Sequence, residues 1–203
     1  YEGFRTYNRT TQMTMAPGST VMPLSVYTPA LEAGYEVDAG VMDDDSLTYG
    51  DDAYSVSNFD RNSLYDTLPM YQAIAESKKT SAVWLLDKLG IQRGISKLED
   101  FGISIGEADE NLGAIALGGM SKGVTPVQLA SAYTTFVNEG VRTQARFITK
   151  IVDATGAVIV DNTKPKTNRV TTAAVAEEMT SMLMGVYADG GTGASAQPSN
   201  GMV

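Results

Sequence analysis

Apolar and polar positions change period several times along this chain of 203 residues, and those changes divide it into segments. Residues 1–18 are polar and irregular, ending in the Pro17-Gly18 punctuation, and the apolar stretch from Ser19 to Leu31 predicts a helix that begins near Ser19. From Gly34 to about Leu64 helical periodicity is lost among Asp, Ser, Tyr and Asn, which predicts a long surface excursion. Helical spacing returns at Pro69 to Glu76, and again from Thr80 to Leu89, closed by Gly90 in the position that favours a left-handed cap. A further helix is expected from Gln92 to Phe101, ended by Gly102, followed by a Gly-rich stretch through Gly119. In Thr125 to Asn138 a Thr cap precedes Pro at the first helical position, with Leu129, Ala132, Tyr133 and Phe136 on one face. The period then shortens: Arg146 to Asp153 and Ala157 to Asp161 alternate as strands around Thr155-Gly156, predicting a hairpin. A last amphipathic helix is expected from Thr171 to Tyr187, with Met179, Met182 and Met184 as core filling.

Length and a hydrophobic fraction of 43% fit one core, hence one domain over residues 1–203. A net charge of -9, with no basic cluster longer than Lys78-Lys79, argues against nucleic acid as a partner. The chain has no cysteine and no histidine, which excludes thiol nucleophiles, His-Asp relays and Cys- or His-ligated metals within it. No cofactor or metal is expected, and catalysis would rest on Ser, Thr, Lys, Tyr or carboxylates. No apolar run reaches the roughly 20 residues that span a bilayer, and Tyr1 onward is unlike a signal peptide. A start at Tyr1 and an apolar end at Gly201-Met202-Val203 suggest excision from a longer protein, whose membrane anchor and other domains would lie outside these residues.

A serine that acylates without histidine commonly takes a lysine one helical turn on as its base, the S-x-x-K arrangement found beside S-x-N and K-T-G type motifs. The stretch PGSTVMPL places Ser19 at a predicted helix start, where the helix dipole favours an oxyanion, but puts Met22 at the i+3 position. An isolated serine there would ordinarily be a helix cap. Two other motifs carry less. Gly190-Gly191-Thr192-Gly193 lacks the preceding strand and following lysine of a phosphate loop, and the Asp43 to Asp45 and Asp51-Asp52 clusters lack EF-hand spacing and read as solvated acidic surface.

The runs YNRTTQMTMAPGSTVMPLSVYTPALEAGY, LPMYQAIAESKKTSAVWLLDKLGI and ALGGMSKGVTPVQLASAYTTFVNEG, then the hairpin and GGTGASA, give the function class its sharpest support. In order and spacing they resemble the transpeptidase domain of class A, bifunctional penicillin-binding proteins over nearly the whole chain. The resemblance implies an α/β fold of the α+β type, an antiparallel sheet flanked by helices, here truncated at its C-terminus and so a partial domain. It implies a location on the outer face of the bacterial cytoplasmic membrane. It also implies serine acyl transfer from D-alanyl-D-alanine stem peptides during peptidoglycan cross-linking, with β-lactams acylating the same serine.

On this resemblance Ser19 occupies the nucleophile position and Ser77 the serine of the S-x-N motif. Met22 stands in place of the family lysine, and Lys79 in place of the family asparagine. A thioether is no base, so an inactive domain is expected. No K-T-G run occurs within the 203 residues. In the family the asparagine lies close to the lysine, so one reading has Lys79 replace the missing base; others have Lys79 point to solvent, or the two changes disable the enzyme by decay or by engineering. The function classes left open are a transpeptidase fragment, a pseudoenzyme or scaffold of wall synthesis, and, within the enzyme class, a D,D-carboxypeptidase or β-lactamase. Truncation of the sheet would also leave an edge for self-association.

Overall fold

The computed structural model describes residues 6–200; Tyr1 and Gly201-Met202-Val203, on which the excision reading rests, lie outside the described residues. After a polar lead-in, a helical run covers residues 18–32, but its winding changes twice: a 3-10 turn at Gly18–Val21, a π turn at Pro23–Tyr27, and α1 at Thr28–Glu32. Pro23 accounts for both changes. It has no N–H to give the Ser19 carbonyl at the α spacing, and the Met22 N–H serves that carbonyl at the 3-10 spacing instead. The Thr28 N–H then reaches back five residues to the Pro23 carbonyl, and the Thr28 hydroxyl joins it at 2.7 Å.

This run is the centre of the core. Residues 21–31 are all buried, and Tyr27 is enclosed with Leu85 and Leu86 of α3 (Lys79–Leu89), Leu98 of α4 (Ile91–Asp100) and Ile115 of α5 (Leu112–Leu117). α2 (Met70–Ala75) lies against α7 (Ala173–Met184), which also packs on α6 (Pro126–Val137). The expected cap of α6 is present as a complete capping box: the Thr125 hydroxyl accepts from the Gln128 N–H, and the Gln128 side chain accepts from the Thr125 N–H. Gly94 lets α4 approach the central run, since a Cβ there would sit 2.9 Å from the Ser25 carbonyl oxygen and 2.8 Å from the Ile115 side chain.

The strands form three antiparallel pairs rather than one sheet among the described residues. β1 (Gly40–Asp43) pairs with β2 (Asp66–Pro69), β3 (Val141–Thr143) with β6 (Thr167–Arg169), and β4 (Lys150–Val152) with β5 (Val158–Asp161). The hairpin expected around Gly156 is the β4-β5 pair. Three expectations need correction. The excursion from Gly34 to Leu64 is no free loop: it carries β1 and a Tyr49–Tyr54 bridge and buries Asp43 completely. The Gly-rich stretch contains α5, capped by Asn111, whose side chain accepts from the Ala114 N–H. Met179 and Met182 fill the core as expected, whereas Met184, at the end of α7, is half exposed.

Gly94→Val should lower stability by about 1–3 kcal/mol, because the Ser25 backbone oxygen cannot move aside as a side chain would. A melting temperature reduced by several degrees, at about 2–4 °C per kcal/mol for a chain of this size, would show it.

Candidate active site

Ser19 is half-buried in the 3-10 turn, and that turn is held from three sides. The Gly18 N–H donates to the Gly118 carbonyl at 3.3 Å, and the backbones lie so close that a Cβ on Gly118 would fall 2.3 Å from the Gly18 oxygen. Gly118 itself is left-handed at φ 71°, the cap of α5, so glycine meets both demands. From α6 the Tyr133 hydroxyl donates to the Thr20 carbonyl at 2.8 Å; burial raises the pKa of that phenol and keeps it a donor. Beneath the turn the Ser25 hydroxyl donates to the Ile115 carbonyl at 2.6 Å.

In a 3-10 turn residues three apart are stacked one above the other, so position 22 lies directly behind position 19. Met22 is 2% exposed there, packed as a core residue. Its thioether supplies neither a base nor a donor at the one position that winding places beside the serine.

Ser77 ends α2 in a Schellman turn: the Lys78 N–H donates to the Ala73 carbonyl at 2.9 Å and the Ser77 N–H to the Ile74 carbonyl at 3.1 Å. That geometry puts Ser77 at φ 54°, a left-handed position usually given to glycine. The GGTG segment folds back onto this end of α2, the Thr192 N–H donating to the Ala75 carbonyl at 3.0 Å. Lys79 is the first residue of α3 and half-buried, not wholly turned to solvent. The N-terminal end of α5 and the C-terminal end of α3 line one cavity, so α5 runs back along α3 towards Lys79 and delivers Gly118 to the serine turn. No hydrogen bond links Ser19 to Ser77 or Lys79 among the described residues.

What fixes the Ser77–Lys79 junction is Lys78 and Asp43, which sequence reasoning assigned to other roles. Asp43, read as part of a solvated acidic cluster, is 0% exposed; Asp51 and Asp52 are exposed as expected. Its carboxylate accepts from the Asn58 amide at 2.5 Å, from the Thr80 hydroxyl and from the Tyr65 N–H at 3.2 Å, and pairs with the Lys78 ammonium at 3.5 Å. Lys78, 3% exposed, also donates to the Ser63 carbonyl at 2.5 Å and hydroxyl at 3.0 Å, and pairs with Glu76 at 3.5 Å. The Asn58 side-chain oxygen Oδ1 accepts from the Lys79 and Thr80 N–H groups at 2.8 and 3.2 Å, capping α3 from outside its own sequence. In the strand Gly40–Asp43, Asp43 shares the inward face with Val41, a placement that no local sequence pattern marks.

The geometry thus holds Ser19 in a helical turn supported from three sides and Ser77 at the α2-α3 junction. Comparison with known proteins gives the class of domain. The penicillin-binding protein transpeptidase domain family matches residues 2–202. Penicillin-binding protein 2a of Streptococcus pneumoniae is 39% identical over 198 residues, 98% of this chain and 26% of that protein. Penicillin-binding protein 1F of Bacillus subtilis is 40% identical over 185 residues, 91% of this chain and 25% of that protein. Among solved structures, the imipenem acyl-enzyme complex of penicillin-binding protein A from M. tuberculosis superimposes with a TM-score of 0.80 at 20% identity, covering 95% of this chain and 48% of that one. The chain belongs to the penicillin-binding protein transpeptidase family, and it spans about a quarter of the length of the curated relatives it matches.

Two outcomes follow for this site. Asp43→Ala should cost about 3–5 kcal/mol, since it breaks a buried ion pair with Lys78 and removes the carboxylate that accepts from the buried Asn58 amide and Thr80 hydroxyl, and chemical denaturation would measure it. Ser77→Gly should instead raise stability by about 0.5–1 kcal/mol by removing the left-handed penalty, seen as a higher melting temperature.

Proposed function

We propose that this chain is the serine acyl-transfer region of a peptidoglycan D,D-transpeptidase, with Ser19 at the nucleophile position and Ser77 lining the same cleft, and that it is inactive or nearly so as it stands. The observation that carries this reading is Met22, buried behind Ser19 where the base should be. Removal of a positioned general base lowers rates by on the order of 10² to 10⁴. Stem peptides ending in D-alanyl-D-alanine and β-lactams are the ligands, the latter supported by the acyl-enzyme captured in the M. tuberculosis relative. The outer face of the cytoplasmic membrane is the proposed location; among the described residues no helix is long and apolar enough to cross a membrane. Self-association through a free strand edge belongs to the same proposal, and size-exclusion elution that does not change with concentration would count against it.

Of the two lysines after Ser77, only Lys79 has a free ammonium. Lys78 is fully engaged, whereas Lys79 makes no ion pair among the described residues. Lys79 is therefore the one amine in this motif open to acting as a substitute base. The second reading, a scaffold that keeps the fold without catalysis, is favoured by how completely Met22 is packed into the core.

Labelled penicillin distinguishes these readings. The unaltered chain should acylate Ser19 slowly or not at all, and Met22→Lys with Lys79→Asn should raise the rate by about 10² or more. The double change should exceed Met22→Lys alone, because it restores both residues that the family motifs carry at these positions. Ready acylation of the unaltered chain that Lys79→Asn abolishes would establish Lys79 as the base instead. No acylation in any variant would favour the scaffold.

A further inference from the structure

The segment from Arg142 to Arg169 has the opposite charge to the rest of the molecule. It carries six cations and two carboxylates, a net of +4, while the remaining residues carry nine cations and 22 carboxylates. Neither carboxylate neutralises its neighbours by pairing. Asp153 accepts from the Thr155 hydroxyl and from the Thr155 and Ala157 N–H groups, and Asp161 accepts from the Thr163 hydroxyl and N–H. Those bonds, the threonine hydroxyls foremost, hold both carboxyls below their usual range and so keep them ionised and committed to their own turns.

Between the two strand pairs of this segment the chain parts. The last backbone bond on the β3-β6 side runs from the Gln144 N–H to the Lys166 carbonyl at 2.9 Å, and the first backbone bond on the β4-β5 side from the Asn162 N–H to the Thr149 carbonyl at 2.7 Å, beside which the Asn162 side-chain amide donates to the Ile148 carbonyl at 3.0 Å. Pro165, which has no N–H for a ladder, lies in the gap. The gap opens into a cavity of about 520 Å³ lined by Arg146, Lys164 and Lys166, with Phe147 and Ile148 beside them and Asp161 as its one carboxylate. None of the three cationic side chains makes a hydrogen bond or ion pair among the described residues. Phe147 is 74% exposed.

A second depression, about 780 Å³, adjoins the first and shares Gln144, Ala145 and Arg146 with it. Its other wall is α6, which contributes Val127, Ala130, Ser131, Thr134 and Val137, and Arg146 is its one charged lining residue. Val137 is 80% exposed on a helix whose other face is core. A cationic cavity that opens into an uncharged groove matches a ligand with a charged head and a hydrocarbon body. Three cations around one cavity suit a phosphate, which carries up to two charges, better than a carboxylate, which carries one.

We propose that the two depressions form one site for a phosphate-bearing amphiphile: Arg146, Lys164 and Lys166 hold the phosphate, and the hydrocarbon lies along α6 over Val127, Ala130 and Val137. The site uses none of Ser19, Met22, Ser77 or Lys79, so it stands or falls separately from the acyl-transfer reading. Phe147 and Ile148 flank the headgroup, as apolar side chains do beside basic residues at a lipid interface.

Titration of the 203-residue chain with dihexanoyl phosphatidic acid below its micellar concentration, and with inorganic phosphate, tests this. The short-chain lipid should bind saturably and at least about tenfold more tightly than inorganic phosphate, which is what burial of two or three methylenes supplies. Lys164→Glu with Lys166→Glu should abolish both, and Val137→Asp should weaken only the lipid. All these side chains are exposed, so the variants should keep the parent melting temperature, which confirms that they fold. No saturable lipid binding, or binding unchanged in the double glutamate variant, would overturn the site; lipid binding unchanged by Val137→Asp would overturn the hydrocarbon groove. Sedimentation with phosphatidylglycerol but not phosphatidylcholine vesicles would identify a bilayer as the source. Binding of the soluble lipid without vesicle binding would identify a single amphiphile taken from solution.

Discussion

The buried carboxylate of Asp43 is the constraint on which the candidate site depends. A charge so enclosed is tolerable only when its oxygens are fully engaged, and Asn58, Thr80, Tyr65 and Lys78 together engage them. Asn58 lies in the excursion, Tyr65 just before β2, and Lys78 and Thr80 at the start of α3, so satisfying one carboxylate draws the long excursion, the β1-β2 pair and the start of α3 to one point. Burial of Lys78 follows, and with it the placement of its neighbours: Ser77 is forced into a left-handed turn and Lys79 is set at the head of α3. The excursion acts less as a loop than as a clamp on the Ser77 junction.

The serine turn is controlled by absences. Pro23 lacks the N–H that would continue an α-helix, so Ser19 sits in a tighter turn with position 22 stacked behind it. Gly118 lacks the Cβ that would keep α5 away, so the two backbones meet. This geometry makes the residue at position 22 decisive. Methionine satisfies the core at that point and offers the neighbouring serine no basic group of its own, so packing and the proposed chemistry place opposite demands on one side chain. The basic, splayed strand segment at residues 142–169 lies apart from this conflict and shares no residue with it.

Much of the helical framework was legible because its signals are local. Thr125 and Pro126 begin α6, Gly90 ends α3, and Gly156 turns the hairpin, each through backbone geometry that a few neighbouring residues dictate. α5 was hidden because six residues carry too little periodicity to show through the surrounding glycines. Met184 was misplaced because helical spacing puts it near the core face, but α7 ends there and nothing covers it.

The sequence by itself determined the family, since that rests on motif order and spacing, and it singled out Ser19, Met22, Ser77 and Lys79 as the residues on which the proposed function turns. Only the tertiary structure decided that Asp43 belongs to the interior, that Lys78 rather than Lys79 is the engaged lysine, and that three separated cations share one cavity. The reason is physical. Whether a charge is buried and what neutralises it depend on groups 15 to 37 residues away in the chain, as between Asp43 and its partners Asn58 and Thr80, and no local pattern records that distance.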